Sequence, residues 1–433
     1  MRLISTVTGE FEWYGDAQRP KYAILSHTWG EGEILYQDYL YLRNEIAGDE
    51  IKTKVLAAFM SKVPRRDSPG YLKIQALCEV ARARGHQWVW IDTCCIDRSS
   101  SAELSGAINS MWNWYWNAEE CLVYLVDVPE CHVTKSHLEK WPSGKRLRDE
   151  TLQKMRKSRW FTRGWTLQEM LAPARLTYYD TNWNMIASRT YLANEVSDIT
   201  KIPAIYLTDR NQLKEASIAM KMSWMAYRQT TLEEDMGYSL LGLFDISMPL
   251  VYGEGRKAFM RLQLELLSKS SDDSILAWTA NVEPTGLLAR SPTAFADSGH
   301  IIPPGFENRS APQLPSMMTN MGLQVRIPKL QQDTVASKLM NSSRLMFQMF
   351  MDNQQLEAEL PLACGRIRDV SQPITHASRQ EAYENSLCVR LKRIGSRWRR
   401  YDCHELPTAD GSLRAGGFIL AGYMVYYVEQ PGL

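Results

Sequence analysis

The 433-residue chain has no apolar run long enough to cross a membrane as a helix. Its longest, Gly416 to Val428, falls well short of the ~20 residues a span needs. It has no charge excess either: 50 Lys+Arg face 49 Asp+Glu, which gives no electrostatic reason to expect nucleic-acid or membrane-surface binding. Its eight cysteines (Cys78, Cys94, Cys95, Cys121, Cys131, Cys364, Cys388 and Cys403) form no C-x-x-C pair and show no zinc-like spacing with histidine, so no metal centre is expected. Most sit in apolar runs, which reads as reduced buried thiols in a cytoplasmic protein. Met1 to Glu10 lacks the charged-then-apolar pattern of a secretory signal. No fixed-period repeat or low-complexity tract is found.

What is present is ordinary globular composition, 45% hydrophobic and 23% charged, over a length that suggests two to three domains. The 14 tryptophans are many for this length, and indoles need packed or stacked surroundings. Lys21 to Ser26, Gln87 to Ile91, Cys121 to Val126 and Arg175 to Tyr179 read as buried strands. Between them, helical spacing runs from Tyr71 to Ala81, capped by Gly85, and from Ser99 to Glu120; Trp160 to Leu171 is a further helix candidate. Strands alternating with helices imply βαβ units and a mainly parallel sheet. Ala216 to Tyr227, Thr231 to Phe244 and Gly255 to Lys269 read as three helices, the second opened by a capping box at Thr230 to Glu233. From Ile275 onward, short alternating runs such as Leu323 to Ile327, Leu345 to Met351, Ser386 to Leu391 and Phe418 to Val428 imply a β-rich region. The expected division is 1–190, 191–272 and 273–433.

Ligands of open parallel sheets bind outside the carboxyl ends of the strands. Ser26, His27 and Thr28, Asp92, and Asp127 occupy such ends here. They are candidates for ligand contact; the plainer alternative is that they cap helices and brace loops, and Asp127 reads more as a turn residue. His27 has the pKa of an acid–base group but equally fits a packed, hydrogen-bonded histidine. Cys94 and Cys95 read as core thiols. Trp165 and Glu169, four apart, share a helix face. A carboxylate beside an indole in a cleft would stabilise a developing cation; alternatively it pairs with a neighbouring arginine. Gly253-Glu-Gly255 could offer N–H groups to a phosphate, or simply form a tight helix entry. The basic cluster from Lys140 to Arg163 reads by default as a solvated face.

Four segments together resemble the fungal heterokaryon-incompatibility (HET) domain family: Tyr22-Ala-Ile-Leu-Ser-His-Thr-Trp-Gly30, Trp90-Ile-Asp-Thr-Cys-Cys-Ile-Asp97, Ile108-Asn-Ser-Met-Trp112 with Tyr115, and Arg163-Gly-Trp-Thr-Leu-Gln-Glu169. A second block, Arg228 to Thr231, Glu234-Asp235, Tyr238 to Phe244 and Met248 to Gly255, is also familiar from proteins carrying that domain. The resemblance implies a cytoplasmic effector of non-self recognition and regulated cell death. It further implies a distant likeness to Toll/interleukin-1 receptor (TIR) domains, with a flavodoxin-like, mainly parallel α/β sheet.

Many TIR domains cleave NAD+ with a glutamate on a helix, and the plant versions carry Trp-Cys-x-x-Glu where this chain has Trp165-Thr-Leu-Gln-Glu169. The implied roles are Glu169 as catalytic carboxylate, with Ser26, His27, Thr28, Trp29, Asp92, Arg163 and Trp165 as substrate contacts. NAD+ is then a substrate and no cofactor is held permanently. Homo-oligomerisation on activation and a protein partner from an incompatible allele are expected, with no nucleic acid and no membrane span. Threonine in place of cysteine and a long insertion, Gly32 to Pro69, depart from the TIR pattern. The alternative is a non-enzymatic signalling scaffold regulated by the C-terminal region.

Overall fold

A computed structural model describes residues 1–58, 60, 63–129, 149–280, 286–303, 317–319, 322–330, 357–394, 397–400 and 420–428. These fall into two units: Met1–Arg210 with Ser239–Leu250, and Asn211–Tyr238 with Val251–Leu433.

The first unit is an α/β layer structure built on a seven-stranded sheet. Four strands form its centre: β3 (Ala23–His27), β4 (Trp88–Trp90), β5 (Glu120–Tyr124) and β6 (Leu176–Tyr179). They lie side by side as β4-β3-β5-β6, all parallel. Every residue of β3 is buried, as a strand covered on both faces requires, which is why it reads as an unbroken apolar run. Antiparallel strands extend both sides: β1 (Arg2–Ser5) and β2 (Phe11–Trp13) beyond β4, and β7 (Met185–Ser188) beyond β6. In order of the chain, the parallel strands run second-first-third-fourth, the opening of the flavodoxin-like order. In that order the switch point lies between the first and third parallel strands, here β3 and β5.

Helices α1 (Tyr36–Ala47), α2 (Glu50–Ala58) and α3 (Pro69–Ala83) follow β3. The Ser68 hydroxyl accepts the Tyr71 N–H, Pro69 occupies the first turn, and Gly85 takes φ +88° just past the end. Helix α4 (Ser101–Asn117) follows β4, capped by Ser100 on the Glu103 N–H, and buries Ala107, Ile108, Met111 and Tyr115. After β5 come α5 (Asp149–Arg156) and α6 (Thr166–Leu171). The expected helix from Trp160 to Leu171 is in fact two pieces. A 3-10 turn, Arg159–Thr162, ends at Arg163-Gly164, and α6 starts afresh after Trp165. Helices α7 (Ala193–Thr200) and α8 (Ala204–Thr208) complete the first stretch.

The segment 239–250 returns to this unit and packs against α4. A Cβ on Gly242 would lie 2.0 Å from Trp112 Cβ, so only glycine fits. Gly242→Ala is expected to cost about 1–3 kcal/mol through overpacking. Urea denaturation checks it.

The second unit contains α9 (Ile218–Ser223), α10 (Asp235–Tyr238) and α11 (Lys257–Lys269), then a second seven-stranded sheet. Its strands are β8 (Ile301–Ile302), β9 (Met317–Thr319), β10 (Gly322–Leu330), β11 (Glu357–Arg366), β12 (Ser386–Ile394), β13 (Arg397–Arg400) and β14 (Leu420–Val428), with α12 (His376–Glu384) before β12. They lie in the order β8-β11-β12-β13-β14-β10-β9, antiparallel except at β13 and β14. The expected helix from Thr231 to Phe244 shrinks to α10 and a 3-10 turn, Gly242–Phe244. Thr230 does not open a helix; its hydroxyl donates to the Leu232 carbonyl at 2.6 Å. The expected strand from Leu345 to Met351, and Cys131 and Cys403, lie outside the described residues. Among the described residues no helix is long and apolar enough to cross a membrane.

Candidate functional site

Neighbouring side chains on a strand point to opposite faces, and β3 uses this at its carboxyl end to build two polar clusters. Ser26 faces α4 and α6; His27 faces α3. Right-handed crossovers place those helices on opposite sides of the sheet.

On the first face, the Ser26 hydroxyl donates to Glu169 Oε2 at 2.5 Å and accepts from Trp160 Nε1 at 2.8 Å. The Tyr115 hydroxyl donates to the Leu25 carbonyl at 2.8 Å. Burial, and then the charge of Glu169, push its phenol well above the usual range. Ser26, Tyr115, Trp160 and Glu169 are all buried, Glu169 with 7% of its surface exposed. Helix α6 is held in place at its carbonyl end by two arginines. Arg189 donates to the Met170 carbonyl, and Arg210 donates to those of Ala172 at 2.8 Å and Trp116 at 2.7 Å, with its guanidinium 3.9 Å above the Trp116 ring. Cations at a helix C-terminus are favourable, so the position of Glu169 is fixed from two directions.

On the second face, the Lys73 ammonium of α3 donates to His27 Nδ1 at 2.9 Å and to both oxygens of Glu33 at 2.6 Å. Because an ammonium can only donate, Nδ1 is the acceptor. The ring proton is therefore on Nε2, and it is donated to Asp92 Oδ1 at 3.0 Å. Asp92 also accepts from Trp29 Nε1 at 2.8 Å, and Arg98 lies 3.6 Å from its other side and 4.2 Å above the Trp29 ring. Burial opposes the Asp92 charge, but the His27 bond, followed by the Arg98 charge and the Trp29 bond, overcomes it. Its carboxyl is held down at about 2. The Glu33 loop reaches Lys73 only because Gly70 has no side chain: a Cβ there would sit 2.4 Å from the Gly32 carbonyl.

Between β3 and β5 the 3-10 turn Arg159–Thr162 closes the switch point. Asp127, just after β5, accepts the Ser158 hydroxyl at 2.7 Å and the Arg159 N–H at 2.9 Å. Arg159 reaches across to Thr28 Oγ1 at 3.1 Å and the Trp29 carbonyl at 2.8 Å. Asp127 is thus a turn residue, in keeping with its plainer reading.

Of the sequence-derived candidates, Ser26 and Glu169 meet in one cluster; His27, Trp29 and Asp92 meet in the other; Thr28 joins the switch-point turn. Arg163 and Trp165 are half-buried at the entrance to α6. Sequence reasoning missed Lys73, Glu33, Tyr115, Trp160, Arg98 and Arg159 as members of these clusters. Tyr115 belonged to a recognised motif and Trp160 stood close to another, but nothing in the spacing marked Lys73. Cys94, Cys95 and Cys121 are buried, free thiols. The Gly253 and Gly255 N–H groups, candidates for a phosphate, donate instead to Glu234 Oε1 at 2.7 and 2.9 Å. Among the described residues no group of His, Cys, Asp and Glu is arranged to hold a metal ion.

Comparison with known proteins places these motifs. The model of the family described as heterokaryon incompatibility protein (HET) matches residues 22–169, which span both clusters. Vegetative incompatibility protein HET-E-1 of Podospora anserina is 40% identical over 260 residues, 60% of this chain. The matched region is 17% of that protein, so the chain spans a small part of its relative's length. No solved structure matches.

Proposed function

We propose, from the match of residues 22–169 to the heterokaryon-incompatibility (HET) family model, that the chain is a cytoplasmic cell-death effector of heterokaryon incompatibility that hydrolyses NAD+. The observation that carries this reading is the placement of Glu169. It comes from a helix after the third parallel strand, yet its carboxylate is tied to Ser26 at the carboxyl end of the first, beside the switch point. The likeness to TIR domains is part of the proposal, supported by the strand order and by Trp165-Thr-Leu-Gln-Glu169.

In the reaction, the bond between ribose C1′ and the nicotinamide nitrogen breaks. Its electron pair leaves with neutral nicotinamide, and an oxocarbenium ion develops on the ribose. Glu169 as carboxylate stabilises that charge. The Ser26 hydroxyl orients one carboxylate oxygen. Water adds at C1′ and releases a proton, giving ADP-ribose. Asp92, with Trp29 and Arg98, lines the neighbouring strand end and contacts the rest of the dinucleotide. Clustering of copies on activation is the expected trigger.

A second reading, a scaffold without chemistry, is favoured by the burial of Glu169 and by Trp160 closing over Ser26. Nicotinamide release from NAD+ by the concentrated full chain separates the two. Glu169→Gln, nearly isosteric, is expected to reduce release by on the order of 100-fold or more while the protein stays folded. Unchanged release would remove Glu169 from the mechanism, and no release from the wild type at high concentration would favour the scaffold.

A further inference from the structure

A cavity lies in the first unit, apart from Glu169 and Asp92. It has a volume of about 410 Å³ and is lined by Asp16, Arg19, Tyr22, Asn113, Trp114 and Asn117 among others. Tyr22 precedes β3, so this cavity sits at the amino end of the central strand, whereas Ser26 and His27 mark its carboxyl end. Cavities of roughly 300–1,000 Å³ suit small molecules.

Three features of the lining define its chemistry. First, Arg19 has a side chain only 9% exposed, and among the described residues its buried Nε has no partner. Its ion-pair partner, Asp16, is 87% exposed, so that counter-charge is screened by water and the buried guanidinium is poorly compensated. The guanidinium lines the cavity and offers charge-assisted donors to a phosphate.

Second, Asn113 and Asn117 are one helical turn apart on α4, on the side away from the buried Ala107, Ile108, Met111 and Tyr115, with Trp114 at the edge of that face. The carboxamide of asparagine matches the N6 and N7 edge of adenine with one donor and one acceptor. Third, the Trp114 position is fixed: its carbonyl accepts the Tyr22 hydroxyl at 2.5 Å, and its ring meets Trp90 edge-on at 5.4 Å. It therefore offers a preset aromatic surface for a base.

We propose that this cavity binds an adenine nucleoside monophosphate, with Arg19 on the phosphate and the Asn113 and Asn117 amides on the base edge. One guanidinium, one carboxylate, two carboxamides and a serine hydroxyl beside Tyr22, Trp114 and Pro20 suit a polar aromatic ligand better than a lipid or other aliphatic one. The site is separate from Glu169 and does not rest on the NAD+ reading.

The test is calorimetric titration of the full chain with adenosine 5′-monophosphate, adenosine and inorganic phosphate. The monophosphate is expected to bind at one saturable site, at least tenfold tighter than either fragment. Arg19→Gln is expected to weaken it at least tenfold and to leave adenosine unchanged. Asn113 is exposed, so Asn113→Leu leaves the fold intact even if Arg19→Gln does not. It is expected to reduce monophosphate binding towards that of phosphate alone. Absence of saturable binding, or an affinity that neither substitution changes, overturns the proposal. Phosphate binding as tight as the monophosphate overturns the base-reading half of it.

Discussion

Lys73→Met is expected to lower the unfolding free energy by about 3–5 kcal/mol, the range for removing one partner of a buried ion pair. The Lys73 side chain is 9% exposed and Glu33 10%, and their atoms approach to 2.6 Å. Methionine fills the volume of the stem but leaves Glu33 as an uncompensated buried carboxylate. It also takes away the donor to His27 Nδ1, which leaves that buried ring nitrogen without its hydrogen bond while Asp92 still holds Nε2–H. The damage therefore passes along β3 to the candidate site. Urea denaturation at pH 7 measures the stability loss. The Nδ1 chemical shift of the His27 ring reports the lost hydrogen bond. Lys73→Met combined with Glu33→Leu should recover most of the stability, since that pair of changes removes the stranded charge. It should not restore the hydrogen bond to His27 Nδ1. A loss below about 1 kcal/mol in the single variant would mean that water screens the pair as at an open surface.

Why Lys73 could not be read in advance shows where sequence reading ends in this fold. The central strands were legible because parallel strands covered on both faces are continuous apolar runs; β3, β5 and β6 all lie within a residue or two of expectation. Helices α3 and α4 were legible from their apolar stripes and end signals. The short outer strands β1, β2 and β7 were not, because an edge strand needs little burial; Trp13 on β2 is 64% exposed. The break before α6 was missed because the run from Trp160 to Leu171 keeps helical spacing. Gly164 and the Thr166 hydroxyl, which donates to the Trp160 carbonyl at 2.6 Å, impose the turn.

Site residues divide along the same line. Ser26, His27, Asp92 and Glu169 are polar residues at strand ends or in a compact motif, so their types alone drew attention. Their partners are a matter of tertiary distance: Glu169 reaches Ser26 across 143 positions, Arg159 reaches Thr28 across 131, and Lys73 reaches His27 across 46. A lysine inside an amphipathic helix looks solvent-facing until the loop carrying Glu33 is placed over it.

Glu120 occupies the opposite end of the same sheet and sets its behaviour in acid. It begins β5, its side chain is 1% exposed, and it accepts from Arg84 at 2.6 and 2.8 Å, Thr177 at 2.8 Å, His86 at 3.2 Å and Arg175 at 3.3 Å. Burial opposes its charge, but the His86 and Arg84 bonds and the Arg84 charge outweigh it, so its carboxyl is lowered from 4.5 to about 2. A carboxyl held lower in the folded chain stabilises it fully above the unfolded value, and that stabilisation is lost as pH falls towards the folded one. Here it amounts to about 3 kcal/mol, lost between pH 4.5 and 2. Asp92, also lowered to about 2, adds to the loss below its own unfolded value of 3.8. The wild type is therefore expected to lose stability steeply below pH 4.5. Glu120→Gln is expected to be about 3–5 kcal/mol less stable than wild type at pH 7, because Arg84 and its neighbours lose their counter-charge. Its further decline from pH 4.5 to 3 should be clearly shallower, since one of the two responsible carboxyls is gone. Denaturation series at pH 7, 4.5 and 3 on both proteins test this. Parallel acid slopes would show that Glu120 is not among the groups that take up protons as the fold is lost.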